Sequence, residues 1–171
     1  MTISATFLLG ILVFLFAPKT PDVTQVLNVT TSNIIFRYGV SGAKHMNELD
    51  TFRGIFIMDM VNKDPVRTRM NLTQEELNTI YQKMVDIEFF TYPNVYNPKL
   101  GDIQGKVTPF FIYYLEYEDE TGTKVVQWND EHYAPGDIKY NKLKKLSRLI
   151  MEIIQARPEY QKLPEPTAVY V

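Results

Sequence analysis

The chain has 171 residues, 45% hydrophobic and 13% aromatic, enough for one ordinary domain to bury its own core without staples. Lys and Arg number 18 against 20 Asp and Glu, a formal charge of -2 with the two signs interspersed, which excludes bulk electrostatic attraction to nucleic acid. There is no cysteine, and that excludes disulfide frameworks, thiolate zinc sites, cysteine nucleophiles and lipidated cysteine anchors.

Ile3 to Ala17, ISATFLLGILVFLFA, carries no charge, and from Phe7 onward no polar side chain. Such a run lies at or below the lower limit for spanning a bilayer, roughly 17 to 25 residues, and matches the core of an export signal. Residues 1–17 are therefore expected to be a signal or membrane anchor that places the rest outside the cell membrane. Leu15 and Ala17 fit the small-x-small cleavage rule poorly, and Pro18 follows directly, so the expectation is an uncleaved anchor; cleavage would give a secreted protein. The competing reading is a buried helix of a cytosolic domain, although buried helices usually keep a polar stripe. Residues 18–32, polar and holding Pro18 and Pro21, read as a linker.

One globular α+β domain is expected over 33–171. Asn33 to Val40 alternates apolar and other residues, the period of a half-buried strand. A loop from Ser41 to Asp50 leads to a second, more central strand at Thr51 to Met60, and a third follows from Val66 to Leu72. Thr73-Gln74-Glu75-Glu76 is a capping box, so a helix starts at Gln74, with Leu77, Ile80, Tyr81, Met84 and Ile87 on its apolar side. A long connection, Phe89 to Lys106, carries Phe90, Tyr92 and Tyr96. Val107 to Glu118 is the longest strand candidate. The turn at Gly122 returns the chain as a fifth strand, Lys124 to Trp128, and this hairpin is expected at the centre of the sheet. A second amphipathic helix covers Ile138 to Ala156, and Pro158, Pro164 and Pro166 predict an extended tail from 158. The fold expected is an antiparallel sheet of about five strands, covered on one face by two amphipathic helices.

Candidate chemistry is sparse. His45 with Glu48 and Asp50, and Asp130-Glu131-His132, could form metal or acid–base clusters, but a catalytic zinc site usually needs three protein ligands, and both read as solvated loops. Gly39 to Ala43 loosely resembles a nucleophile elbow and reads as a turn. No phosphate loop is present, and neither a cofactor nor a metal is predicted. Arg37, Arg53, Arg67 and Arg69 all fall on the strand faces opposite the main apolar set. They form a possible surface for an anionic polymer or a partner's carboxylates. Cross-strand pairing with Asp59, Glu116 and Glu118 is the alternative. Phe90, Tyr92 and Tyr96 could stack on a ligand such as a sugar, or fold back as a lid on the core.

The blocks FRYGVSGAKHMNELDTFRG, LTQEELNTIYQKMVDIEFFTYP and ARPEYQKLPEP resemble a small group of exported, membrane-tethered domains of Gram-positive bacteria with no assigned function. The resemblance implies an extracytoplasmic setting and brings no site residues. The function read from the chain is a non-catalytic binding or sensing module of the cell envelope. One alternative is an envelope hydrolase using His45 or His132 with nearby carboxylates, and the other a component of a membrane protein assembly.

Overall fold

The computed structural model describes residues 32–166; the apolar run of residues 3–17, the linker up to residue 31 and residues 167–171 lie outside them. No helix among the described residues is long and apolar enough to cross a membrane. Among the described residues eight strands and three α-helices follow one another as β1 (Asn33–Val40), β2 (Asn47–Asp50), β3 (Ile55–Met58), β4 (Val66–Arg69), α1 (Gln74–Asp86), β5 (Gly105–Lys106), β6 (Phe111–Asp119), β7 (Gly122–Asn129), β8 (His132–Tyr133), α2 (Ile138–Ala156) and α3 (Pro158–Gln161). The fold is α+β. Its main sheet has six strands in the order β4-β3-β2-β1-β6-β7, every pair antiparallel. Strands β5 and β8 form a separate ribbon.

Alternation along the strands divides the sheet into two faces. One row, Val126, Leu115, Phe36, Leu49 and Phe56, runs straight across five paired strands, and all five side chains are buried. These residues share one core cluster with Ile80 and Met84 of α1 and Leu143, Leu146, Ile150 and Ile154 of α2. Removing apolar volume from such a row costs about 2 to 5 kcal/mol per Leu→Ala change, because close-packed neighbours relax only partly.

The capping box forms as expected. Thr73 is the N-cap, its backbone N–H donating to Glu76 Oε2 at 2.6 Å while the Glu76 N–H donates to Thr73 Oγ1 at 3.2 Å. Glu76 has a further task, accepting from Arg157 at 3.3 Å, and Arg157 also pairs with Glu159 at 3.2 Å. The start of α1 is thus tied to the end of α2 and to α3.

Four expectations are corrected. The loop expected up to Asp50 contains β2, whose NELD sequence offers only one apolar residue, Leu49, and therefore shows no legible period. The strand expected at Thr51 to Met60 is a turn followed by β3. Gly54 takes φ 61°, and a Cβ there would come within 2.2 Å of Asn71 Oδ1, so the chain reverses at a position that only glycine fills without displacing Asn71. The β6–β7 hairpin does not lie at the centre: β2 and β1 do, and β7 is an edge. The tail is not extended from Pro158, because Pro158 occupies the first turn of α3, where its missing N–H costs nothing, and Tyr160 and Leu163 pack on the core.

Candidate functional site at the strand ends

Arg37, Arg67 and Arg69 lie on strands, on the face away from the buried row, whereas Arg53 sits in the turn before β3, and the four do not form a free patch. Arg37 Nε meets Glu48 at 2.6 Å, and Arg53 bridges Glu48 and Asp50, each at 2.6 Å. The Arg37 guanidinium also lies 4.9 Å from the centre of the Tyr114 ring. The carboxylates are those of β2, with Glu48 directly across from Arg37 in register, rather than Asp59, Glu116 or Glu118. Arg67 and Arg69 stand exposed on edge strand β4, three strands from β1, so about 14 Å from Arg37 at ordinary strand spacing.

In the aromatic connection, Tyr92 is 2% and Tyr96 8% exposed, and only Phe90, at 40%, offers surface. Phe90 lies edge-on to Tyr117 with centroids 5.3 Å apart. The Tyr92 hydroxyl donates to the Lys139 carbonyl at 3.0 Å, and the Tyr96 hydroxyl reaches Asp137 at 2.8 Å. Asp137, unnoticed in the sequence, holds this corner: it caps α2 through the Tyr140 N–H at 2.8 Å and accepts the Lys99 N–H at 3.2 Å. Burial pushes its carboxyl up, but the Tyr140 N–H, Tyr96 hydroxyl and Lys99 N–H outweigh it and hold the group below the usual carboxylate range.

The two histidines have different surroundings, and neither belongs to a three-ligand group among the described residues. Glu48 and Asp50 are committed to arginines, while His45 lines a shallow recess whose only carboxylate is Asp64. His132 Nδ1 lies 3.9 Å from Glu131, which hydrogen-bonds Lys106 at 2.9 Å. Among the described residues no group of three or more His, Asp or Glu is placed to hold a metal ion.

A concave feature with a mostly apolar wall lies where antiparallel register brings the end of β1, the start of β2, the end of β3 and the start of β6 to the same edge of the sheet. There Tyr38, Val40, Met58, Phe111, Tyr160 and Pro166 line a cleft of about 360 Å³, with Asn47 and Asp59 among its polar groups. Its volume falls within the range of small-molecule sites, roughly 300 to 1,000 Å³, and its wall is mostly apolar with a few polar groups, as such sites are. Asn47 braces the floor, its Nδ2 donating to the Tyr38 carbonyl at 3.3 Å and its Oδ1 accepting the Asp59 N–H at 3.1 Å. Asp59 is 6% exposed, and its Oδ1 accepts the Val61 N–H at 3.0 Å. Burial, with the neighbouring hydroxyls of Tyr160 and Tyr113, pushes the Tyr38 phenol well above its usual value, so it stays protonated at physiological pH. One wall depends on α3: the Arg157 ion pairs hold that turn, and the Tyr160 ring rests against Phe56 at 5.7 Å.

None of the cleft residues stands out in the sequence, because they come from the ends of four strands, from α3 and from the tail, and only the fold brings them together. The one available signal is the polar Asn62-Lys63-Asp64-Pro65 turn following Asp59. No protein-family model matches this chain, and no curated protein matches it.

Proposed function

We propose that the chain is a non-catalytic binding module of the cell envelope, held at the outer face of the membrane by residues 3–17, and that its ligand occupies the cleft at the strand ends. The observation that carries the binding part is the cleft itself, an apolar-walled space built by four strand ends and closed on one side by α3. The apolar run and the resemblance to exported Gram-positive domains support the compartment. The outer-face arginines favour this assignment indirectly, since two of the four already spend their charge on Glu48 and Asp50.

Two measurements test the reading. Protease added to intact cells is expected to remove the part beyond residue 31 while the chain fractionates with membrane; an intact chain in the cytosol overturns the tether. Native mass spectrometry of the full chain released from that fraction is expected to show a bound small molecule that is lost in Val40→Trp, where the indole fills the cleft. Identical mass spectra, free of any adduct, overturn the cleft as the binding site.

A further inference from the structure

Resting on that reading, we infer that the ligand is an amphipathic anion: an alkyl chain in the apolar cleft, ending in a carboxylate or phosphate held just outside it. The cleft does not stand alone. A second recess of about 570 Å³ adjoins it, lined by Lys44, His45, Val61, Asn62, Lys63 and Asp64, and Val61 lines both spaces. On one side of Val61 the wall is apolar; on the other, two ammonium groups face a single carboxylate. Lys44 and Lys63 are both exposed, and His45 lines the same recess, its Nε2 buried and without a hydrogen-bond partner among the described residues. A buried ring nitrogen without a partner is costly to keep, and an oxyanion or its bound water would satisfy it.

Asp59 borders the cleft and would repel an anionic head placed beside it. That carboxylate is fixed on the cleft side of Val61, where Oδ1 accepts the Val61 N–H, and it does not line the second recess. The head group therefore belongs beyond Val61, on the lysine side, with only Asp64 as a like charge. Val61 itself has φ 64°, a left-handed conformation that a β-branched side chain adopts only under strain. That strained residue stands at the junction of the apolar and cationic spaces, so the turn that separates chain from head is held against its own backbone preference.

The test uses the full chain in phosphatidylcholine vesicles with a diazirine-bearing dodecanoate added below its micelle concentration, and labelled peptides mapped by mass. Label is expected on residues 58–61 and 109–111. Lys44→Glu combined with Lys63→Glu should cut it about tenfold, as loss and reversal of two exposed contacts implies, with folding undisturbed because both side chains are at the surface. The uncharged dodecanol analogue should label weakly and ignore the double substitution. A second arm places a diazirine phosphatidylglycerol in the bilayer: cleft label from it identifies membrane lipid as the source, and cleft label from dodecanoate alone identifies a free amphiphile. Equal labelling by dodecanol and dodecanoate, unchanged in the double variant, overturns the anion and leaves the cleft standing. Label confined to residues 3–17 overturns the cleft and the reading beneath it.

Discussion

Two aromatic regions of this domain use similar residues and reach opposite ends. Behind the β7 edge, Tyr92, Tyr96 and Phe89 are sealed, each tyrosine hydroxyl satisfied by a fixed acceptor on or beside α2. At the strand ends, Tyr38, Phe111 and Tyr160 surround open space, and no hydrogen bond to the Tyr38 hydroxyl is found among the described residues. The difference lies in the acceptors rather than the rings. A buried hydroxyl that finds a partner inside the fold closes a lid; one that faces a cleft keeps its hydrogen-bonding capacity for water or a ligand.

The sharpest way to break this contrast is at Asp137. Asp137→Ala removes the α2 cap and leaves the Tyr96 hydroxyl and the Lys99 N–H without their acceptor. A lost cap costs about 1 kcal/mol, and each buried group left unpaired about 1 to 3 more, so the expected loss is roughly 3 kcal/mol, or about 10 °C in Tm. Chemical and thermal unfolding measure it. A loss under about 1 kcal/mol would mean that the lid is held by ring packing alone. The charge has its own signature. Because the folded carboxyl is held below its ordinary value, its contribution is fully present above about pH 4 and disappears as pH falls through the depressed pKa. Asp137→Asn should flatten that acid limb of the stability profile and leave neutral pH less affected than Asp137→Ala does.

A smaller effect separates the two regions directly. Tyr96→Phe deletes a hydroxyl with a charged acceptor and is expected to cost about 1.5 kcal/mol. Tyr38→Phe deletes one with no hydrogen bond among the described residues, on a residue that lines the cleft, and should change stability by less than about 0.5 kcal/mol. Denaturant midpoints of the two variants decide the matter, and equal costs would show that the cleft hydroxyl is bound within the protein after all.

What could be read in advance follows the range of the interactions. The start of helix α1 was legible to the residue, because its cap is a four-residue pattern, and its course was legible because its apolar side repeats within the same segment. Helix α2 was legible for the second reason. Strand β2 was not, since Asn47, Glu48 and Asp50 are polar for tertiary reasons: Asn47 braces Tyr38 and Asp59, and the two acids receive Arg37 and Arg53. Missing β2 also misassigned the arginines' partners, because their carboxylates sat in the supposed loop. Asp137 went unnoticed because its contacts with Tyr96 and Lys99 span 41 and 38 residues. The cleft draws on separate segments spread from Tyr38 to Pro166, so its composition exists only at the level of the fold.

The smallest effect belongs to the outer edge. Arg67 and Arg69 lie on β4 with no ion pair among the described residues, and like charges along an exposed strand oppose edge-to-edge pairing with another sheet. Replacing both with Glu keeps the edge charged while reversing its sign. Stability should therefore move by less than about 0.5 kcal/mol, and the circular dichroism spectrum should not change. If binding belongs to the cleft, ligand occupancy in this variant should equal that of the parent chain. If capture of an envelope partner is lost while the spectrum holds, β4 is an interface in its own right, and the contrast between a sealed lid and an open cleft is no longer a full account of where this domain makes contact.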